Sequence, residues 1–248
     1  VDFIKRTFVL VVLVTAAAAQ SPGPSLSDSR LSVNTLLRED IFSGFLAGDM
    51  ERFARGEKNI DLLLEKRSGE KPVLLAWKAL ASLYRAVLAN ESNHPAEFQR
   101  YYRKTLDLFA EASKLGPMDG GVIAVTGGSY VALADRLPKE YRAAAWSQAF
   151  DSYKALWKFQ AGGLATLPVH LRGELLAGLA QSAQRTGHTE EMNQSLDKII
   201  AVLADTPYER MAKRWKANPT VAASASITCL TCHDAGRLAA RVSALNKS

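Results

Sequence analysis

The chain has 248 residues, 48% hydrophobic and 23% charged, with 31 Lys and Arg against 25 Asp and Glu for a formal net charge of +6. Those proportions are ordinary for a globular protein with a hydrophobic core of its own. Two cysteines exclude a disulfide framework. The positive charges are interleaved with acids and are densest only over 211–216, which excludes the long basic stripe of a nucleic-acid footprint.

Residues 1–19 read as an export signal. Lys5 and Arg6 precede the apolar run TFVLVVLVTAAAA, and Ala17-Ala18-Ala19 before Gln20 supplies the small residues of a peptidase site. The run is short for a bilayer span, so cleavage is the expectation and a retained anchor the alternative. Cleavage removes Lys5, Arg6 and Asp2 and leaves a net charge of +5. The expected location is periplasmic or extracellular, with no transmembrane span after cleavage and no later apolar run approaching spanning length. Residues 20–33, which contain SPGPS, read as a flexible segment.

From residue 34 to 217 apolar residues recur at spacings of three and four, the period of amphipathic helices. Breakers divide this stretch at RSGEKP (67–72), NESNHP (90–95), LGPMDGG (115–121), RLPKE (136–140), AGGLATLP (161–168), RTGH (185–188) and DTP (205–207). The pattern predicts antiparallel helical hairpins. The first hairpin covers 34–66 and turns at Gly48-Asp49, with Phe53, Ile60 and Leu64 as its stripe. In the next, Trp77, Leu80, Ala81 and Tyr84 are answered by Phe109, Ala112 and Pro117. Ile123, Thr126, Gly127 and Tyr130 repeat the first spacing, with Tyr153 and Leu156 as partners. Leu176, Leu179, Ala180, Ala183, Gly187, Met192, Leu196 and Ile199 form the most regular unit. Tyr208, Met211, Ala212 and Trp215 line a last helix that caps the array.

These spacings resemble the tetratricopeptide repeat, in which a small residue lets two paired helices approach closely. The resemblance covers roughly residues 34–217. It implies an all-α solenoid of stacked hairpins and a role as a binding scaffold rather than an enzyme. An irregular helical bundle with the same helix count is the alternative.

Residues 218–248 are expected to form an Ala/Ser-rich linker, ANPTVAASAS over 217–226, and then a short chemical motif. Cys229-Leu230-Thr231-Cys232-His233 holds both cysteines of the chain, with a histidine directly after the second. Two thiols at this spacing can add across the vinyl groups of a haem, and the adjacent imidazole can reach the iron. A local disulfide, a redox dithiol and a zinc site are the competing uses. The dithiol lacks a surrounding strand pattern, and zinc lacks a second ligand pair.

The five-residue pattern resembles the haem-attachment site of c-type cytochromes. The resemblance implies one covalent haem c per chain, thioether bonds from Cys229 and Cys232, and His233 as the proximal iron ligand. Only fifteen residues follow His233, too few for the domain that wraps the haem in that family. They suffice for one short helix with Leu238, Val242 and Leu245 on a stripe. The haem is then expected to lean on the repeats or on a second subunit. His170, just before the first helix of the most regular unit, is the first candidate for the distal ligand, ahead of His188 and His94. Arg172 beside it is a candidate partner for a haem propionate.

The expected function is electron transfer and protein–protein interaction by an exported monohaem c-type cytochrome on a helical-repeat scaffold. Redox proteins would be its partners, and stacking of array ends would give homo-oligomers or filaments. The alternative is an exported adaptor with a local disulfide and no haem. A haem enzyme ranks last, because the sequence nominates no distal acid–base group.

Overall fold

Proline, glycine and capping residues punctuate this chain where the sequence places its breakers. The computed structural model describes residues 26–228 and 236–247. The helices among them are α1 (Val33–Ala47), α2 (Met50–Lys66), α3 (Lys71–Glu91), α4 (Pro95–Leu115), α5 (Gly120–Leu133) and α6 (Lys139–Gln160). They continue as α7 (Val169–Arg185), α8 (Thr189–Val202), α9 (Pro207–Ala217), α10 (Pro219–Ser224) and α11 (Arg237–Leu245). The described residues contain no strand, so this part of the chain is all-α.

Side-chain oxygens of Ser32, Asp49, Asp119, Thr206 and Asn218 accept backbone N–H groups at the starts of α1, α2, α5, α9 and α10. Each such cap is worth about 1 kcal/mol. Gly48 and Gly187 take φ of 70° and 80° at the α1–α2 and α7–α8 turns, a conformation that a side chain would strain.

Successive helices pack as pairs: α1 on α2, α3 on α4, α5 on α6 and α7 on α8. Each odd-numbered helix from α1 to α7 also touches the next odd one, so α1, α3, α5 and α7 form a continuous layer. Cross-contacts fix their direction. Near the helix starts, Trp77 Nε1 donates to Asn34 Oδ1 at 2.7 Å, and Gly121 lies against Val73 and Asn34. Near the ends, the Tyr84 hydroxyl donates to the Phe45 carbonyl at 3.2 Å, and Arg185 pairs with Asp135 at 3.4 Å. The four helices therefore run parallel, with their starts at one end of the molecule. This arrangement is compatible with a helical-repeat array.

Large side chains of one helix fill places left by glycine on another. Phe53 of α2 sits where a Cβ on Gly44 of α1 would meet it at 2.8 Å. The Tyr153 ring of α6 is wedged between Gly127 of α5 and Gly178 of α7. Tyr208 of α9 occupies the space beside Gly173. A core at this density gains dispersion contacts that a methyl added at any of these four glycines would disrupt. The repeat positions Trp77, Leu80, Ala81, Tyr84, Thr126, Gly127, Tyr130, Leu176, Leu179, Ala180 and Ala183 are all buried, while Ile123 is half-buried.

Three expectations need correcting. Ser68–Glu91 is long and apolar enough to cross a membrane, although no apolar run after the signal was expected to be. Its apolarity has a packing cause: α3 is enclosed by α1, α2, α4 and α5, and most of it is buried. The described part of the segment expected to be flexible, 26–32, is tied down. The Arg67 guanidinium donates to the carbonyls of Leu26, Asp28 and Leu31 at 3.1, 2.7 and 2.8 Å, and Leu31 is buried. The expected linker contains α10, capped by Asn218 and packed on α7 and α9.

Candidate functional site

Cys229, Cys232 and His233 lie outside the described residues, and so does the rest of 229–235. The structure shows what holds the chain immediately before and after them. Gln181, buried in the fourth turn of α7, turns its Oε1 toward residues 226–228. That oxygen accepts the Ile227 N–H and the Ser226 hydroxyl, each at 2.9 Å, with the Thr228 N–H at 3.4 Å. Ile227 is fully buried. Arg185, one turn further along α7, donates to the carbonyls of Ala222 and Ala225 at 2.8 and 3.2 Å. The same guanidinium lies over the Trp146 ring, 5.5 Å from its centroid. A buried amide and a shielded guanidinium thus fix the chain up to the residue before Cys229.

The second support is at the other end of the odd-helix layer. Glu39 of α1 accepts the N–H groups of Gly236 and Leu238 at 3.1 and 2.9 Å, which places a carboxylate on the N-terminus of α11. Negative charge there is favoured by the unpaired N–H groups and the helix dipole. Arg52 holds Glu39 in place through a 2.5 Å ion pair. Leu238, Val242 and Leu245 pack against the core, as the stripe predicted. Arg30 closes the far end of α11 by donating to the Leu245 carbonyl and to Asn246 Oδ1, each at 3.2 Å. Residues 229–235 therefore connect an anchor on α7 to an anchor on α1. Eight peptide steps reach no further than about 28 Å.

The histidines outside the motif divide clearly. His170 is half-buried at the second position of α7. It lies eleven residues before Gln181, which puts it on nearly the same face of the helix and about 17 Å away along the axis. Five peptide steps lead from Thr228 to His233, a reach that also ends near 17 Å. Arg172 falls on the opposite face of α7 from Gln181, so the two candidate side chains are not brought together. Its Nε is buried without a hydrogen-bond partner among the described residues. His188 stacks on Phe150 with ring centroids 4.2 Å apart and bonds the Thr186 hydroxyl at 2.8 Å, at the start of α8. His94 starts α4 and lies 3.5 Å from Glu97. Met50, Met192 and Met211 pack against the core, and Met118 is exposed.

Sequence reasoning missed both anchors. Gln181 looks like any polar residue of an amphipathic helix, and Glu39 lies 199 residues from one of its partners. Among the described residues no three His, Cys, Asp or Glu side chains converge as a metal-holding group. No protein-family model, curated protein or solved structure matches the chain.

Proposed function

We propose that this chain is an exported monohaem c-type cytochrome built on a tetratricopeptide-like solenoid, and that it transfers electrons between protein partners. The observation that carries the reading is Cys229-Leu230-Thr231-Cys232-His233, two thiols and an imidazole at attachment spacing, downstream of an export-type N-terminus. The donor set fits a covalent haem. Cys229 and Cys232 would hold the macrocycle, and His233 would supply the proximal ligand. What haem contributes at such a site is a one-electron iron couple.

The chain's own part is position. Gln181 and Arg185 fix the approach to Cys229, and Glu39 fixes the departure after residue 235. These anchors tie both flanks of the motif to the odd-helix layer. The paired helices, the parallel odd layer and the glycine slots support the solenoid reading. His170 is the proposed distal ligand, because it shares a face of α7 with Gln181. The proposed location is periplasmic or extracellular, and the proposed role is not enzymatic. Redox proteins, and further copies stacked at the array ends, are the proposed partners.

The test is a pyridine haemochrome spectrum of chain exported from cells that carry a cytochrome c maturation system. A thioether-type spectrum at one haem per chain supports the proposal. Its absence, with Cys229 and Cys232 joined as a disulfide, would establish the adaptor reading instead.

A further inference from the structure

Eight large hydrophobic side chains are exposed among the described residues, and six of them are at one end of the molecule. The odd helices start at this end and the even helices finish there. Leu115 and Met118 lie in the α4–α5 connection, Phe159, Val169 and Leu171 flank the α6–α7 connection, and Val202 ends α8. Contacts confirm the level. Gly127 faces Ser152 and Tyr153, which puts Met118, nine residues before it, at the same level along the helices as the turn that follows Phe159. Lys198 of α8 reaches to 5.1 Å from the Trp157 ring centroid, which joins the end of α8 to the end of α6. Single exposed apolar residues are normal on a protein surface, but a shared rim of them is not.

Charge defines what covers this rim. Residues 159–171 contain no Asp, Glu, Lys or Arg. Lys114, Lys158, Arg172 and Lys198 border the apolar side chains. The neighbouring acids are largely occupied: Glu111 pairs with Lys71 and Asp197 with Lys216, and Asp119 caps α5, while Glu65 at the end of α2 and Asp205 after α8 are exposed at the same end. The chain enters the body at the same end, since Arg67 holds Leu26 there, and the sequence before it contains the apolar run 7–19. We propose that this rim is a membrane-docking edge that seats Met118, Phe159 and Leu171 at the headgroup–acyl boundary of a bilayer rich in anionic lipid. Apolar tips belted by cations suit that boundary. Burial of the tips and attraction of the lysines act together, each lysine near an anionic surface contributing about fivefold in binding. The odd-helix layer would then stand across the membrane plane, with the α7 and α1 anchors held at a fixed height above it.

The test uses the full chain with a reporter at each end, Phe159→Trp on the rim and Leu46→Trp at the opposite end. Each is mixed with phosphatidylglycerol vesicles carrying brominated acyl chains, and with phosphatidylcholine vesicles of the same chains. Emission is compared with the parent chain to subtract the four native tryptophans. The proposal expects the Phe159→Trp signal to fall by about half or more with phosphatidylglycerol, less with phosphatidylcholine, and the Leu46→Trp signal to be unchanged. Equal quenching of both reporters, or quenching of neither, overturns the docking edge. A blue shift of the Phe159→Trp signal that grows with protein concentration before lipid is added would assign the rim to a second copy and overturn it as well.

Discussion

Tyr153 sits where three helices meet, and two glycines make room for it. A methyl on Gly178 would fall inside the Tyr153 ring, while one on Gly128 would have only the Tyr153 hydroxyl nearby, at 3.9 Å. Both glycines are interior to helices, so propensity favours alanine at either site by about 1 kcal/mol. At Gly178 overpacking opposes this with about 1–3 kcal/mol. Gly178→Ala is therefore expected to lower the urea midpoint, and Gly128→Ala to leave it unchanged or raise it. Equal effects would contradict the wedge. Only part of this was legible in sequence. Gly127 stands at a repeat position that calls for a small residue, but Gly178 and Gly173 do not, and their partners are distant in the chain. His170 belongs to the same scale. If it ligates the iron, His170→Met is expected to change the low-spin spectrum and raise the reduction potential, because thioether ligation favours ferrous iron. An unchanged spectrum and potential would remove His170 from the coordination sphere.

Among the elements, the helices were legible and their docking partners were not. Pro95, Pro207, Asp119 and Gly187 act on their own neighbours, so the boundaries they set can be read locally. The Ala/Ser-rich stretch read as a linker became α10 because Asn218 caps it and Arg185 binds the carbonyls of Ala222 in its last turn and Ala225 just after it. The stripe of α11 was visible at Leu238, Val242 and Leu245, but nothing local pointed to α1. With only nine residues, α11 is too short to persist on its own and depends on that dock. Glu39→Ala is expected to cost about 0.5–2 kcal/mol of local stability. Amide exchange over 238–245 should accelerate accordingly, while α3 and α7 keep their protection. If exchange in α11 is unaffected, Glu39 does not hold it.

At the scale of the whole molecule, the chain closes on itself. The parallel layer of α1, α3, α5 and α7 carries one anchor on its last member and one on its first, and the residues between the anchors contain the Cys-x-x-Cys-His motif. The motif alone suggests chemistry and the helices alone suggest a scaffold. Under the proposed function, the scaffold carries one redox group on the segment between these two anchors. The most direct measurement is the intact mass of the exported chain after denaturation, since thioether bonds survive denaturation and axial ligation does not. The account predicts a mass increased by one haem, lost in a Cys229→Ala/Cys232→Ala double variant. An unmodified mass, or a haem released on denaturation, would contradict it.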